Sequence, residues 1–158
     1  SKELSDDFTG TIPVINDAIT NLELDQHYDF TCCLYPCVPL LSENTLLEGY
    51  NLLKTNRSKY ILPIRKFESS IYRSFSLDSQ NTIKLNFPSN QVSRTQDLQI
   101  AYYDAGQFYF GTNKLWLSET NLHSSSIGIK VSHDECIDID EVDDWMLAEQ
   151  IFKLKTNA

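Results

Sequence analysis

Residues 29–35 read Asp-Phe-Thr-Cys-Cys-Leu-Tyr, with prolines at 36 and 39 directly behind them. A short apolar run bounded by turn residues is what a strand buried on both faces requires. The chain on either side continues the pattern. Ser42 stands where a helix N-cap belongs, and Leu46, Tyr50 and Leu53 form one face of a helix behind it. Residues 59–64 (KYILPI) read as the next strand, interrupted or ended by Pro63. Further along, residues 107–111 (QFYFG) and 127–131 (IGIKV) read as two more strands. Upstream, Ile15, Ala18, Ile19 and Leu22 have helical spacing over residues 12–22, with Thr9 or Thr11 as cap and Pro13 in the first turn.

The last predicted helix spans residues 141–154, with Trp145, Ala148 and Phe152 on one side. Glu141, Asp143 and Asp144 open it and Lys153 and Lys155 lie near its end, the polarity that suits the helix dipole. Strands alternating with helices predict an α/β domain with a mostly parallel sheet. Residues 68–100 break the alternation. They are polar, with short strand-like pieces (IYRSFSL and IKLNF), and read as an antiparallel excursion, an arm or a dimer contact within a single domain spanning 1–158.

The 158 residues suffice for one real core, and 41 % hydrophobic against 22 % charged residues is an ordinary globular balance. No apolar run reaches the length of a membrane span. Ser1 opens a polar, acidic stretch unlike a signal peptide, so the expectation is a cytoplasmic chain without membrane attachment. A net charge of −9 argues against a nucleic-acid partner, which calls for a basic face. It leaves room for a nucleotide substrate, since a divalent cation can stand between carboxylates and phosphates. Cys32, Cys33, Cys37 and Cys136 form no zinc framework and read as buried, reduced thiols.

Ligands of open α/β sheets bind beyond the carboxyl ends of the strands, which directs attention to the loops after residues 35, 111 and 137. Ile137-Asp138-Ile139-Asp140 is the sharpest local feature. In an extended segment the isoleucines turn inward and the aspartates project together, with Cβ atoms about 6–7 Å apart. Such a pair can share one hard cation, and magnesium suits two carboxylates plus substrate phosphates. Equally, Asp140 could cap the following helix and Asp138 could be a solvated strand end. Tyr35-Pro36-Cys37-Val38-Pro39 is either a pocket wall or a proline-shaped turn. Arg94-Thr95-Gln96-Asp97 and Tyr103-Asp104-Ala105-Gly106-Gln107 are dense in directional hydrogen-bonding groups, as a polyhydroxylated acid would need, or as any polar surface loop offers. His27, His123 and His133 join no motif and read as surface or capping residues, so covalent catalysis has no positive support.

Taken in order, several of these blocks resemble the acylneuraminate cytidylyltransferase family. They are Glu3 to Thr11 followed by Pro13-Val14-Ile15, the Tyr35–Pro39 loop, and the closing Asp138-Ile139-Asp140 with Glu141, Asp144 and Trp145. Arg94 to Leu98 and Tyr103 to Tyr109 look like its pseudaminic acid branch. The resemblance implies a three-layer fold of the nucleotide-diphospho-sugar transferase type, with residues 68–100 as a dimerising or substrate-covering excursion. It implies CTP and an acidic nine-carbon sugar as substrates, CMP-sugar and pyrophosphate as products, and a homodimer. Asp138 and Asp140 would hold Mg2+. Asp7 and Thr11 would face the nucleotide, and Tyr35, Arg94, Gln96, Asp104 and Gln107 the sugar. Cys37 and Val38 depart from the small polar or small apolar residues frequent in relatives, which bears on the choice among pseudaminic, sialic and legionaminic acids. The family's opening strand and Gly-rich basic loop have no counterpart in these residues, whose five glycines are scattered. On the resemblance the N-terminal strands are missing, and the 158 residues alone would be weak or inactive. A non-catalytic α/β binding module is the reading from another class.

Overall fold

The computed structural model describes residues 2–118 and 120–156. In chain order the regular elements are α1 (Thr11–Asn21), α2 (Leu24–His27), β1 (Phe30–Leu34), α3 (Glu43–Thr55), β2 (Tyr60–Lys66), β3 (Phe75–Leu77), β4 (Ile83–Leu85), β5 (Tyr102–Asp104), β6 (Phe108–Thr112), α4 (Asn113–Leu117), β7 (Ser126–Lys130) and α5 (Val142–Thr156). Residues 1–64 with 104–158 make one unit, and residues 65–103 a second.

The α/β class follows the sequence pattern, but the expected mostly parallel pairing does not. β6 pairs with both β1 and β2 antiparallel, while β2 and β7 pair parallel from Tyr60↔Ser126 to Ile64↔Lys130. β1, β2 and β7 therefore do run in one direction. The reversed β6 is inserted between β1 and β2, so their neighbour contacts become antiparallel. Periodicity reports burial and direction of side chains, not which strand lies next to which.

Helices cover both faces of this sheet. Tyr60, Leu62 and Tyr109 pack with Ile19 of α1 and Trp116 of α4 on one face. Ile61, Phe108 and Ile129 pack with Leu53 of α3 on the other. Ser42 caps α3 as its sequence position predicts, accepting the Thr45 amide at 3.1 Å. Gly10, not Thr9 or Thr11, holds the cap position of α1. α4 escaped the sequence reading because it has barely one turn. Thr112 caps it, and Trp116 is fully buried with its indole N–H donating to the Thr31 carbonyl at 3.2 Å. Gly111 makes that possible, since a Cβ there would lie 2.7 Å from the indole nitrogen.

Pro63 neither interrupts nor ends β2. Along one edge of β2, Phe110 faces Ile61 and then the Ala105 amide donates to the Pro63 carbonyl. Five residues of the incoming chain thus answer two of β2, which is a bulge at Ala105-Gly106-Gln107. Gly106 sits in it at φ +62°. The proline lacks a donor at the point where the ladder is already interrupted, the place where a sheet tolerates it.

The second unit is described by itself. It holds the β3–β4 hairpin, with Phe75↔Leu85 and Leu77↔Ile83 on one face and Ser76↔Lys84 on the other. Ile71–Arg73, expected as part of a strand-like piece, forms a short 3-10 turn.

Candidate functional site

β1, β2 and β7 point their carboxyl ends the same way, and β6 starts at that end. The loops there carry most of the residues selected from the sequence. Tyr35, one residue past β1, donates its amide to the Gln107 carbonyl at 2.9 Å. Its ring meets Tyr109 edge to face, with centroids 5.4 Å apart, and its hydroxyl lies 2.8 Å from Thr11 Oγ1 at the start of α1. Tyr109 donates to Asp104 Oδ2 at 2.9 Å. His123 Nε2 approaches the same oxygen at 2.7 Å, and the Gly106 amide donates to Asp104 Oδ1 at 2.9 Å. Thr11, Tyr35 and Asp104 are thereby joined in one continuous wall. Burial raises the Tyr109 pKa, and the Asp104 carboxylate raises it further, so the phenol stays neutral and donating.

Gln107 is 3 % exposed, and its Nε2 donates to the Glu135 main-chain carbonyl. Its Oε1 is buried without a partner among the described residues. Glu135 closes the arrangement: it accepts from Thr45 Oγ1 at 3.3 Å and from Ser132 Oγ at 3.1 Å. Burial opposes its ionisation, but hydrogen bonds from Ser42 and Ser132 outweigh burial and leave its carboxyl below the ordinary glutamate value. Next to it, Cys136 is buried and directs its thiol at the Ala105 carbonyl.

Behind this anchored turn, burial alternates: Ile137 and Ile139 are half-buried, Asp138 and Asp140 exposed. The segment has the face alternation expected of an extended chain without being paired in the sheet. Asp140 does not cap α5. Asp144, in the first turn, accepts from the Asp140 amide at 3.2 Å and the Glu141 amide at 3.0 Å, which is the backward-reaching half of a capping box. The carboxylates of Asp138 and Asp140 meet no donor or cation among the described residues. Two adjacent, unengaged carboxylates form a donor set that suits a hydrated hard cation whose remaining ligands come from phosphate. No group of three or more metal-binding side chains occurs among the described residues, so water and phosphate would have to supply the rest of such an ion's ligands.

The other selected residues are placed differently. Asp7 is exposed on the approach to α1 and takes no part in the wall. Arg94 and Gln96 belong to the second unit, where both are exposed and Arg94 forms a salt bridge to Asp97 at 2.7 Å. Cys37 is exposed and Val38 half-buried in the loop after Tyr35; Cys32 is exposed as well, so of the four cysteines expected to be buried only Cys136 is. Trp145 and Phe152 share a side of α5 with Ala148, but only Ala148 is buried; the two aromatics border a small apolar recess of about 240 Å³ with Pro39 and Ile139. A larger cleft of about 800 Å³ includes Asp29, Arg57 and Asn113, and none of the wall residues or the aspartate pair lines it. His123 and Glu135 were not selected from the sequence. Both are recruited by contacts across 19 and 90 positions, and no local spacing marks them.

A sheet whose carboxyl-end loops gather polar side chains beside a carboxylate pair is the frame of an α/β ligand-binding domain. No family model matches the chain. Its relatives are informative. It is 38 % identical over 156 residues to a pseudaminic acid cytidylyltransferase of Campylobacter jejuni, across 97 % of this chain and 67 % of that protein. It is 35 % identical over 140 residues to a Helicobacter pylori protein named pseudaminic acid cytidylyltransferase and UDP-2,4-diacetamido-2,4,6-trideoxy-beta-L-altropyranose hydrolase, across 87 % of this chain and 26 % of that one. It is 25 % identical over 151 residues to N-acylneuraminate cytidylyltransferase B of Danio rerio, across 95 % of this chain and 35 % of that one. The chain belongs to the pseudaminic acid cytidylyltransferase family, a family of nucleotidyltransferases.

Proposed function

We propose that the chain serves the transfer of CMP from CTP to pseudaminic acid, with release of pyrophosphate. The observation that carries this is the 38 % identity to a pseudaminic acid cytidylyltransferase along 97 % of the chain. The anomeric hydroxyl of the sugar attacks the α-phosphate of CTP, and the new bond forms as the bond to pyrophosphate breaks. Chemistry of this kind depends on alignment and charge neutralisation rather than a covalent nucleophile. The Thr11–Tyr35–Tyr109–Asp104 wall presents aromatic surface and fixed hydroxyls to the sugar. Asp138 and Asp140 would hold Mg2+, which when bound neutralises phosphate charge and favours ionisation of an attacking hydroxyl. That their carboxylates meet no partner among the described residues supports that role.

The finer parts of the reading belong with it. The domain is a three-layer nucleotide-diphospho-sugar transferase type in which β5 and β6 run against the other strands of the sheet, working in the cytoplasm where CTP is available. It acts as a homodimer through the second unit, on whose hairpin Phe75, Leu77 and Ile83 expose 53 %, 65 % and 61 % of their surface on one face. An exposed apolar face of that kind on a two-stranded ribbon calls for a covering surface. Sedimentation tests it: Leu77→Glu should turn a dimer into monomers, and a monomeric parent protein would remove the proposal.

The activity is tested in the protein as encoded, including whatever precedes Ser1. It is incubated with CTP, Mg2+ and, separately, pseudaminic, N-acetylneuraminic and legionaminic acids. CMP-pseudaminic acid and pyrophosphate should appear first, by phosphorus NMR and mass spectrometry. Transfer to another of the sugars alone would reassign the substrate, and no transfer to any would leave a binding module.

A further inference from the structure

We infer that Gln107 is a positioning residue that holds the aspartate-bearing segment, not a residue that touches the sugar. The inference rests on the metal reading of Asp138 and Asp140. Four observations support it. The Glu135 carbonyl can only accept, so the end of the Gln107 side chain facing it is the amide nitrogen. The other end, Oε1, is closed off from solvent, and the residue is 3 % exposed, so neither end offers a surface to a substrate. The main chain of the same bulge makes two more connections: the Gln107 carbonyl receives the Tyr35 amide, and the Ala105 carbonyl receives the Cys136 thiol. The Glu135 side chain then reaches the first turn of α3 through Thr45.

Residues 105–107 thus join the loop after β1 to the turn that precedes Asp138. Two residues separate Glu135 from Asp138, too short a link to absorb a shift of the turn without moving the carboxylates. Release of the Glu135 carbonyl would loosen both aspartates together. Partners one step removed from a metal ligand commonly govern metal affinity by about 10–100-fold.

The test uses Gln107→Leu and, as a milder change, Thr45→Val, which removes the hydroxyl that Glu135 accepts. Mn2+ binding without nucleotide is followed by electron paramagnetic resonance, alongside KM for the sugar in the protein as encoded. Gln107→Leu should raise the Mn2+ dissociation constant about tenfold and leave the sugar KM within about twofold. Thr45→Val should move the same way by less. A raised sugar KM with unchanged Mn2+ affinity would overturn the inference in favour of direct sugar contact. Should Gln107→Leu fail to fold, unchanged Mn2+ affinity in Thr45→Val would overturn it as well. Asp140→Asn is measured in parallel. If it binds Mn2+ like the parent, the metal reading fails instead. The clamp is then judged by amide exchange of residues 135–141, which should quicken about fivefold in Gln107→Leu for the loss of one hydrogen bond, unchanged exchange overturning it.

Discussion

At the carboxyl end of β1, every polar atom of the wall is occupied by the protein itself: Tyr35 by Thr11, Tyr109 by Asp104, and Asp104 by Tyr109, His123 and Gly106. Beyond β7, at the same end of the sheet, the carboxylates of Asp138 and Asp140 meet no partner among the described residues. The difference separates two kinds of site residue. A side chain whose hydrogen bonds are satisfied internally is held in shape before any ligand arrives, and its loss is felt in stability. A carboxylate without a partner contributes nothing to the fold and is free to act on something that arrives later.

Substitutions at the two places should therefore fail in opposite ways. Asp140→Asn is expected to lower turnover about a hundredfold or more, the ~3 kcal/mol or more that a lost cation ligand adds to the barrier. Its thermal midpoint should not move, since exposed, unpartnered positions change stability by no more than about 0.5 kcal/mol. A large loss of stability would erase the contrast. Gly106→Ala should reverse the pattern. A side chain at φ +62° costs about 1–2 kcal/mol, so denaturant unfolding should shift before any kinetic constant does. Tyr109→Phe removes one hydrogen bond to Asp104, which keeps its other two, and should cost about 1 kcal/mol. If Tyr109→Phe instead leaves stability intact, the internal hydrogen bonds of the wall do not hold it in shape and the contrast with the aspartates fails.

How much of this was legible in the sequence differs along the same line. The Ser42 cap and the alternation of Ile137 to Asp140 are set by residues close in sequence, and they were readable. The apolar run over β1 does form a strand, but not the buried one it predicts: β1 lies at the sheet edge, with Cys32 and Leu34 exposed. The order of strands was not readable. β6 enters between β1 and β2 from 46 residues beyond Pro63, measured to Tyr109, and nothing local records it. Pro63 was misread for the same reason, because its tolerance depends on a bulge supplied by Ala105 to Gln107. Resemblance pointed to Asp104 and Gln107 as sugar-facing residues but could not say that they are engaged by the protein itself, Asp104 by Tyr109, His123 and Gly106, and Gln107 by the Glu135 carbonyl. His123 and Glu135 needed the fold to bring their partners to them.

The aspartates of this one segment offer the smallest test of the same contrast. Asp134 lies four residues before Asp138 and is engaged: hydrogen bonds from Ser132 first and Lys155 second hold its carboxyl down to about 2, and the lysine of α5 stands 2.9 Å away. A depressed carboxylate stabilises the fold above its unfolded value, 3.8 here, and that contribution disappears as the pH falls from there toward about 2. Its side chain is 53 % exposed, so solvent screens the pair and the effect at neutral pH stays below about 1 kcal/mol. Unfolding of the parent and of Asp134→Asn should therefore differ slightly at pH 6 and converge near pH 2. A difference that persists unchanged into acid would mean that Asp134 acts through the shape of the turn, and the engaged half of the segment would owe its place to packing rather than charge.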